Sequence, residues 1–226
     1  MTKTYSLSPE KKIKLPVILI DNGHGRDTKG KCSPDAAKGL WTSPYFLREY
    51  EWTRKCACGV VDVLQSLGET AFLLVKEDWD VSLKERVERV NAYCRKYGKN
   101  NVLLISIHNN ASGDGSKWMN ARGWAAYTTV GVTESDYLAS YLYDSAEATF
   151  KSPLKVRKYS QEKKVGRDFE EPLYVLKNTY CPAVLTENFF QDNKEDVLYL
   201  KSDKGLGACI DVHVQGLLDY IKERYR

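Results

Sequence analysis

The chain has 226 residues, of which 42% are hydrophobic and 28% charged, so it is long enough to close an apolar core as one large domain, or at most two. No apolar run reaches the roughly 18 residues that a membrane-spanning helix requires, which argues against an integral membrane protein. The formal charge of +4 is mild and spread along the chain. Composition therefore gives nucleic-acid binding no support, although attraction to an anionic polymer stays possible.

Apolar segments of strand length alternate with helical patterns along the whole sequence. The first, which ends at Asp21, is followed by a turn at NGHG, and the third is almost wholly apolar, as expected for a strand that is covered on both faces. The predicted strands span 16–21, 70–75, 101–107, 124–129, 173–176 and 182–186. This alternation predicts one α/β domain over residues 1–226, with its core from about residue 15 and no linker that would mark a boundary.

Helices are predicted between these strands by their apolar spacing and end signals. One runs from about Glu49 to Leu67 and ends at Gly68, and another begins with Ser82 as N-cap and Glu85 three positions later. The remaining helices are expected over 135–150, 193–200 and 206–225, whereas the polar stretch 151–171 is expected to be a surface loop. The predicted fold is a twisted, mostly parallel or mixed sheet of about six strands with helices on both faces.

The six cysteines and the amino terminus indicate the compartment of synthesis. A chain of this length does not need disulfides to fold, and no CxxC pair occurs, so the cysteines are predicted to be free thiols. The amino terminus carries lysines but no apolar stretch before a small-residue cleavage site. We therefore expect no signal peptide and synthesis in the cytoplasm.

Two of the three histidines follow apolar strands, which is where open α/β sheets place their functional sites. His24 follows the first strand and His108 ends the third. A lone histidine is more often an ordinary hydrogen-bonded residue, but two at equivalent strand ends point to a metal, since neutral imidazole is a common zinc ligand. His213 lies in the last predicted helix and is expected to be a surface or half-buried residue.

A carboxylate would complete the set of two histidines and one acid found in zinc hydrolases. Glu49 opens the first long helix directly after the loop with the first histidine, whereas Glu51 faces elsewhere on the helix; a favourable charge at the helix start is the alternative role of Glu49. Glu187 ends an apolar strand and suits a general base, or else pairs with a lysine or arginine. Asp21 and Asp27 flank the turn and are expected to hydrogen-bond its backbone.

Five segments in order carry a resemblance to a known family, from about Val17 to the last helix. They are ILIDNGHG, LREYEWTRKCA, SLKERVERVN, LLISIHNNAS and LYVLKNTYCPAVLTENFFQDNKED. With these segments the chain resembles the zinc-dependent N-acetylmuramoyl-L-alanine amidases of the amidase-3 type, particularly the catalytic domains of phage and prophage endolysins. The resemblance implies a phosphorylase/hydrolase-like fold.

The resemblance also implies the roles of four residues. His24, Glu49 and His108 match the ligands of Zn²⁺, and Glu187 matches the catalytic glutamate of an enzyme that cuts the amide between N-acetylmuramic acid and L-alanine in peptidoglycan. The chain departs from the family where DNGHG lacks the proline that many relatives carry, and where Thr53 stands in place of a frequent asparagine. Neither departure replaces a ligand.

Further residues are candidates for contact with the substrate. Asn109 and Asn110 would orient the neighbouring histidine or touch the substrate, and a plain turn role is the alternative. Arg167, with Arg157, lies in a segment without a counterpart in the family and is a candidate for wall binding. Exposed loop aromatics are candidates for stacking on sugar or peptide, although packing is their commoner role: Trp41, Tyr45 and Trp118.

These observations predict a monomeric enzyme whose partner is peptidoglycan, with no nucleic acid and no integral membrane contact. The resemblance implies action at the cell wall after an endolysin-like release from the cytoplasm. Two alternatives stay open, namely a wall-binding module that keeps the fold without the chemistry, and a related zinc peptidase or amidohydrolase that acts on a soluble peptide.

Overall fold

The computed structural model describes residues 13–159 and 166–226, and it arranges them around a single six-stranded sheet. The strands are β1 (Val17–Asn22), β2 (Thr70–Leu73), β3 (Val102–Asn110), β4 (Ala125–Thr128), β5 (Phe169–Glu170) and β6 (Ala183–Phe190). Their order across the sheet is β2-β1-β3-β6-β4-β5, and β4 runs antiparallel to β6 while the other neighbouring pairs are parallel. The predicted mixed α/β sheet is thus confirmed.

Helices cover both faces of this sheet. They are α1 (Pro34–Ala37), α2 (Glu49–Ser66), α3 (Leu83–Tyr97), α4 (Glu134–Thr149), α5 (Tyr174–Asn178), α6 (Lys194–Lys201) and α7 (Asp203–Tyr225), with one short 3-10 turn at Lys99–Asn101. The Ser82 side chain accepts a hydrogen bond from the Glu85 amide at 3.2 Å, as its position before α3 predicts. Across 13–159 and 166–226, the helices all fall short of the length and apolarity that crossing a membrane would require.

The apolar core forms two layers because successive residues of a strand point to opposite faces. Ile18 and Ile20 of β1 pack into the layer formed with α2, α4 and α7, whereas Val17 and Leu19 pack into the layer formed with α3 and α5. All six residues of β1 are buried. This burial on both faces explains why the strand begins with an unbroken apolar run, Val17 to Ile20, before Asp21 and Asn22.

The carboxyl ends of β1, β3 and β6 meet at one edge, since these three strands are adjacent and parallel. His108 of β3 lies directly opposite Glu187 of β6 in the register. The register shifts between His108 and Asn110, and on β6 the backbone of Phe189 takes a φ of 62°. A left-handed conformation is strained for a bulky side chain, so this edge of the sheet holds local backbone strain.

Two predicted elements differ from the structure. The strand expected over 173–176 is wrong, because residues there belong to α5, which buries Val175 and Leu176 against α3 while Tyr174 is exposed. A short apolar run does not by itself distinguish a strand from a helix. The loop expected over 151–171 contributes β5, which pairs Phe169 with Tyr127 of β4.

Three further sequence predictions concern the amino terminus, the cysteines and His213. Residues 1–12, on which the expected lack of a signal peptide largely rests, lie outside the described residues, as do residues 160–165 of the expected loop. All six cysteines are free thiols, as predicted. His213 is fully buried, so its expected surface or half-buried position is wrong: its Nε2 lies 2.8 Å from the Thr186 hydroxyl of β6, so the sheet covers this face of α7.

Candidate metal centre

The turn after β1 brings the first histidine over the end of the sheet. The Gly23 amide donates to the Ile107 carbonyl at 3.0 Å, which presses the turn against β3. A Cβ at Gly23 would lie 2.2 Å from Cε1 of His108, so only glycine lets the backbone pass this close to the ring. His24 follows with a φ of 65°, a left-handed conformation that histidine adopts more readily than most residues.

The first turn of α2 positions the carboxylate. The Glu49 amide donates to the Lys31 carbonyl at 3.1 Å, and the Thr53 hydroxyl, one turn along the helix, donates to the Gly23 carbonyl at 3.1 Å. These bonds join the start of α2 to the turn that carries His24. Glu49 is 1% exposed, whereas Glu51 is exposed and lies 3.5 Å from Arg48, which places Glu49 and not Glu51 at the centre.

The two histidines and Glu49 converge, although they come from three distant stretches of the chain. Nδ1 of His108 lies 3.1 Å from Oε1 of Glu49, and Nε2 of His24 lies 3.5 Å from the same oxygen. The two imidazole rings are nearly perpendicular, with centroids 4.9 Å apart. One ligand atom from each residue falls within 4.8 Å of the others, so the three could hold one metal ion.

Burial and mutual charge set the protonation of this group. Burial lowers the pKa of His24 to about 4 despite the opposing charge of Glu49, so this imidazole is neutral near pH 7. Burial also opposes ionisation of Glu49, but the hydrogen bond from His108, the charges of both histidines and the Asn109 amide outweigh it and lower the pKa of that carboxyl. In turn, Glu49 outweighs the burial of His108 and raises the pKa of its ring.

Glu187 faces the group from the neighbouring strand. Its Oε2 is buried, and no hydrogen-bond partner reaches this atom from the described residues. Burial raises the pKa of Glu187 to about 8; His108 and Lys31 lower it, and the charge of Glu49 adds to the rise. The alternative, in which Glu187 pairs with a lysine or arginine, has no support in the described ion pairs, and a carboxyl of raised pKa suits proton transfer.

Backbone and side-chain amides hold the Glu49 carboxylate in place by hydrogen bonds. The Asn109 amide donates to Oε1 of Glu49 at 3.0 Å, and the side chain of Gln191 donates to Oε2 at 3.0 Å. The side chain of Asn188 donates to the His108 carbonyl at 3.1 Å, and the backbone carbonyl of Asn188 accepts from the Asn109 side chain at 2.7 Å. Sequence reasoning missed Gln191 and Asn188, whose only signal is their position just after Glu187 at a strand end.

A buried ion pair anchors the turn that carries His24. Arg86 of α3 is 2% exposed, lies 2.5 Å from Asp21, and donates to the carbonyls of Asn22 and His24 at 3.0 and 3.3 Å. Asp21 therefore does not bond to the turn backbone as expected; it binds Arg86 and accepts from the Ser106 hydroxyl at 2.7 Å. An arginine within the apolar stripe of α3 was the signal that could have revealed this pair.

The residues predicted to touch the substrate have separate surroundings. Asn109 is 3% exposed and its backbone amide donates to Glu49, so it supports a candidate ligand and does not face a groove. Asn110 is half-buried, and its side chain accepts from the Ala111 amide at 2.8 Å. Arg167 lies against α4, 2.5 Å from Asp144, and no hydrogen bond, ion pair or ring contact given for it joins it to the metal-ligand candidates.

A second cluster of acids could also hold a cation by distance, and it comprises Asp136, Asp168 and Glu170. Each of these has a local structural partner. Asp136 accepts from the Thr133 amide at the start of α4, at 2.8 Å, Asp168 accepts from the Thr128 hydroxyl at 2.6 Å, and Glu170 accepts from the Gly131 amide at 3.1 Å. The donor set with two imidazoles is thus the better candidate for a catalytic metal.

Two curated proteins are similar to this chain over most of its length. The endolysin of Bacillus phage SPP1 is 29% identical over 206 residues, which are 91% of this chain and 66% of that protein. The N-acetylmuramoyl-L-alanine amidase CwlM of Bacillus licheniformis is 28% identical over 202 residues, 88% of this chain and 66% of that protein. The chain thus spans just under two thirds of the length of both relatives.

Solved structures and family models extend the comparison to the fold. The structure of the N-acetylmuramoyl-L-alanine amidase AmiC2 of Nostoc punctiforme covers 93% of this chain and 99% of its own, with a TM-score of 0.72 at 21% identity. The family model Amidase_3, described as N-acetylmuramoyl-L-alanine amidase, matches residues 18–219. Because this match includes every strand but the first residue of β1, and all the residues of the candidate metal centre, the chain belongs to the amidase-3 family of N-acetylmuramoyl-L-alanine amidases.

Proposed function

We propose that the protein hydrolyses the amide bond between N-acetylmuramic acid and L-alanine in peptidoglycan, with Zn²⁺ held by His24, Glu49 and His108. One observation carries the proposal: three side chains from distant stretches place ligand atoms within 4.8 Å of one another, beside Glu187 on the neighbouring strand, whose Oε2 is buried. Family membership supports the same bond as the target. The site of action is the cell wall, reached by endolysin-like release.

The donor set fits zinc. A catalytic zinc takes three protein ligands, and two histidines with one carboxylate are among the known sets. His24 is neutral near pH 7 because its pKa is lowered to about 4, so it offers a free lone pair, and Glu49 is ionised because its pKa is also lowered. Bound zinc would supply the positive charge that acidifies a water molecule and polarises the scissile carbonyl.

Glu187 is the residue that moves the proton. With a pKa of about 8 its carboxyl would be protonated near neutral pH, but a divalent cation beside His108 would favour the carboxylate. The carboxylate takes a proton from the attacking water and delivers it to the nitrogen of L-alanine as the amide bond breaks. Asn109 and Gln191 hold Glu49 by hydrogen bonds, so the ligand keeps its orientation during the reaction.

The test is a Glu187→Gln variant assayed on purified cell walls. It should keep the zinc content of the unmodified protein but lose release of new amino termini by at least about 100-fold, because general acid–base catalysis contributes about 10² to 10⁴ in rate. Glu223→Gln, an exposed change near the end of α7, is the matched control and should stay active. Full activity of Glu187→Gln would exclude its proposed role. His108→Ala should instead lose the metal.

The product separates the remaining alternatives. Mass spectrometry of digested walls should show intact glycan and stem peptides that begin with L-alanine. A wall-binding module without activity would sediment with peptidoglycan and release no new ends. A zinc peptidase would leave L-alanine attached to the glycan and cut elsewhere in the peptide.

A further inference from the structure

A cleft beside the metal centre combines basic side chains with an aromatic wall. Its lining includes Arg26, Lys29 and Arg48 together with Trp41, Phe46 and Tyr50. Trp41 is 70% exposed and packs against Phe46, with ring centroids 4.8 Å apart. A large indole that leaves most of its surface in water is available to contact a ligand.

The positive charge of the cleft is only weakly balanced. Arg26 lies 3.4 Å from Asp78, and both side chains are more than half exposed, so this ion pair is a weak one. No ion pair joins Lys29 to any of the residues 13–159 and 166–226. Asp27, the acid in the lining, accepts a hydrogen bond from the Asp80 backbone amide at 2.7 Å. Arg48 also pairs with Glu51 at 3.5 Å, and both side chains are partly exposed. The lining residues thus carry three positive charges and one negative charge, an excess that an anionic group could neutralise.

The cleft adjoins the candidate active site. Arg48 directly precedes Glu49, and its guanidinium donates to the Arg26 carbonyl at 3.1 Å, which joins the two walls. Thr28 lines this cleft and also the cavity that contains His24 and His108. A ligand that extends from the cleft past Thr28 would reach the candidate active site, so the cleft lies where another part of the substrate would bind.

We propose that this cleft binds a carboxylate of the stem peptide on the carboxyl side of L-alanine, and that Arg26, Lys29 and Arg48 make the enzyme prefer free acids over amides at that position. The inference rests on the proposed function. Guanidinium and ammonium groups form charge-assisted hydrogen bonds to a carboxylate, which are about twice as strong as those to a neutral amide. The aromatic wall packs against the apolar part of the same residue.

The first test measures binding without catalysis. An acidic tripeptide that begins with L-alanine, followed by D-glutamate, is a reaction product and cannot be cut again by the proposed activity. Isothermal titration of the zinc-loaded protein should show that it binds about tenfold more tightly than its counterpart with the glutamate carboxylate amidated, a difference that weakens with salt. Equal affinity for acid and amide would overturn the proposal.

The second test locates the preference. Arg26→Gln/Lys29→Gln alters two exposed side chains, so the fold and the zinc content should be unchanged, and the acid-to-amide ratio of kcat/KM on paired substrates should fall from about ten toward one. Lys204→Gln, on the exposed surface of α7, is the matched control and should keep the ratio. An unchanged ratio in the double variant would overturn the proposal.

Two further outcomes separate this inference from the proposed function. Release of L-alanine amino termini at equal rates from acidic and amidated substrates would refute the cleft assignment and leave the amidase function standing. Failure to release them from either substrate would refute the function, and the binding test would still decide the cleft. Displacement of the acidic peptide by poly(glycerol phosphate), with acid and amide bound equally, would assign the cleft to a phosphate polymer instead.

Discussion

Replacing Arg86 by methionine tests how the turn that carries His24 is held in place. The guanidinium is 2% exposed and 2.5 Å from Asp21, which is 1% exposed. Methionine fills a similar length of side chain but leaves the Asp21 charge buried beside a single remaining donor, the Ser106 hydroxyl. Removing one partner of a buried ion pair destabilises a protein by about 3–5 kcal/mol.

The lower end of this range is the better estimate for Arg86→Met, because Arg86 and Asp21 both line the cavity at His24, from which water can reach the Asp21 carboxylate once the arginine is removed. We therefore expect the free energy of unfolding to fall by about 3 kcal/mol. Guanidinium chloride unfolding at pH 7 measures it, with the slope checked for two-state behaviour. Zinc affinity should also fall about tenfold, since Arg86 holds the His24 carbonyl at 3.3 Å.

The double variant Asp21→Asn/Arg86→Met distinguishes a buried charge from simple loss of packing. It removes both charges, and the asparagine oxygen can still accept from Ser106. It should therefore be more stable than Arg86→Met by about 2 kcal/mol, which is the size of coupling expected for contacting residues. A loss of less than 1 kcal/mol in Arg86→Met, or a double variant no more stable than the single one, would refute this reasoning.

Two further predictions concern buried residues near Glu187. Phe189 has a φ of 62° and packs against Tyr199, with ring centroids 5.1 Å apart, so Phe189→Ala should lose about 3 kcal/mol of stability and Phe189→Gly about 2 kcal/mol. Glycine should be the more stable of the two by about 1 kcal/mol in chemical unfolding, because it alone adopts this φ without strain, and the reverse order would contradict the strain. Burial lowers the pKa of His213 from 6.5 to about 4, so between these pH values the unfolded chain binds a proton that the folded chain does not. The neutral His213 therefore stabilises the fold fully above pH 6.5, and about 3 kcal/mol of the free energy of unfolding is lost as the pH falls toward 4. In His213→Gln the free energy of unfolding should change less between these pH values. Parallel pH curves for the variant and the unmodified protein would contradict this prediction.

Local sequence patterns predicted the scaffold of the site because they depend on neighbours in the chain. The apolar runs before His24 and His108 form adjacent parallel strands, and parallel strands end at the same edge, so the pattern alone placed both imidazoles together. Helix phase separated Glu49 from Glu51, and burial agrees with that choice. The short run at 173–176 failed as a strand, since four apolar residues carry too little periodicity to separate the two structures.

Tertiary structure alone decided which distant residues support the candidate ligands. Gln191 reaches Glu49 across 142 positions of sequence, and Arg86 reaches Asp21 across 65, so no local pattern records either contact. His213, expected to be a surface or half-buried residue, lies in the core, because its ring contacts Thr186 of β6, 27 positions away in the chain. The identities of the candidate ligands follow from the chain itself, whereas their orientation and charge depend on side chains that only folding brings to them.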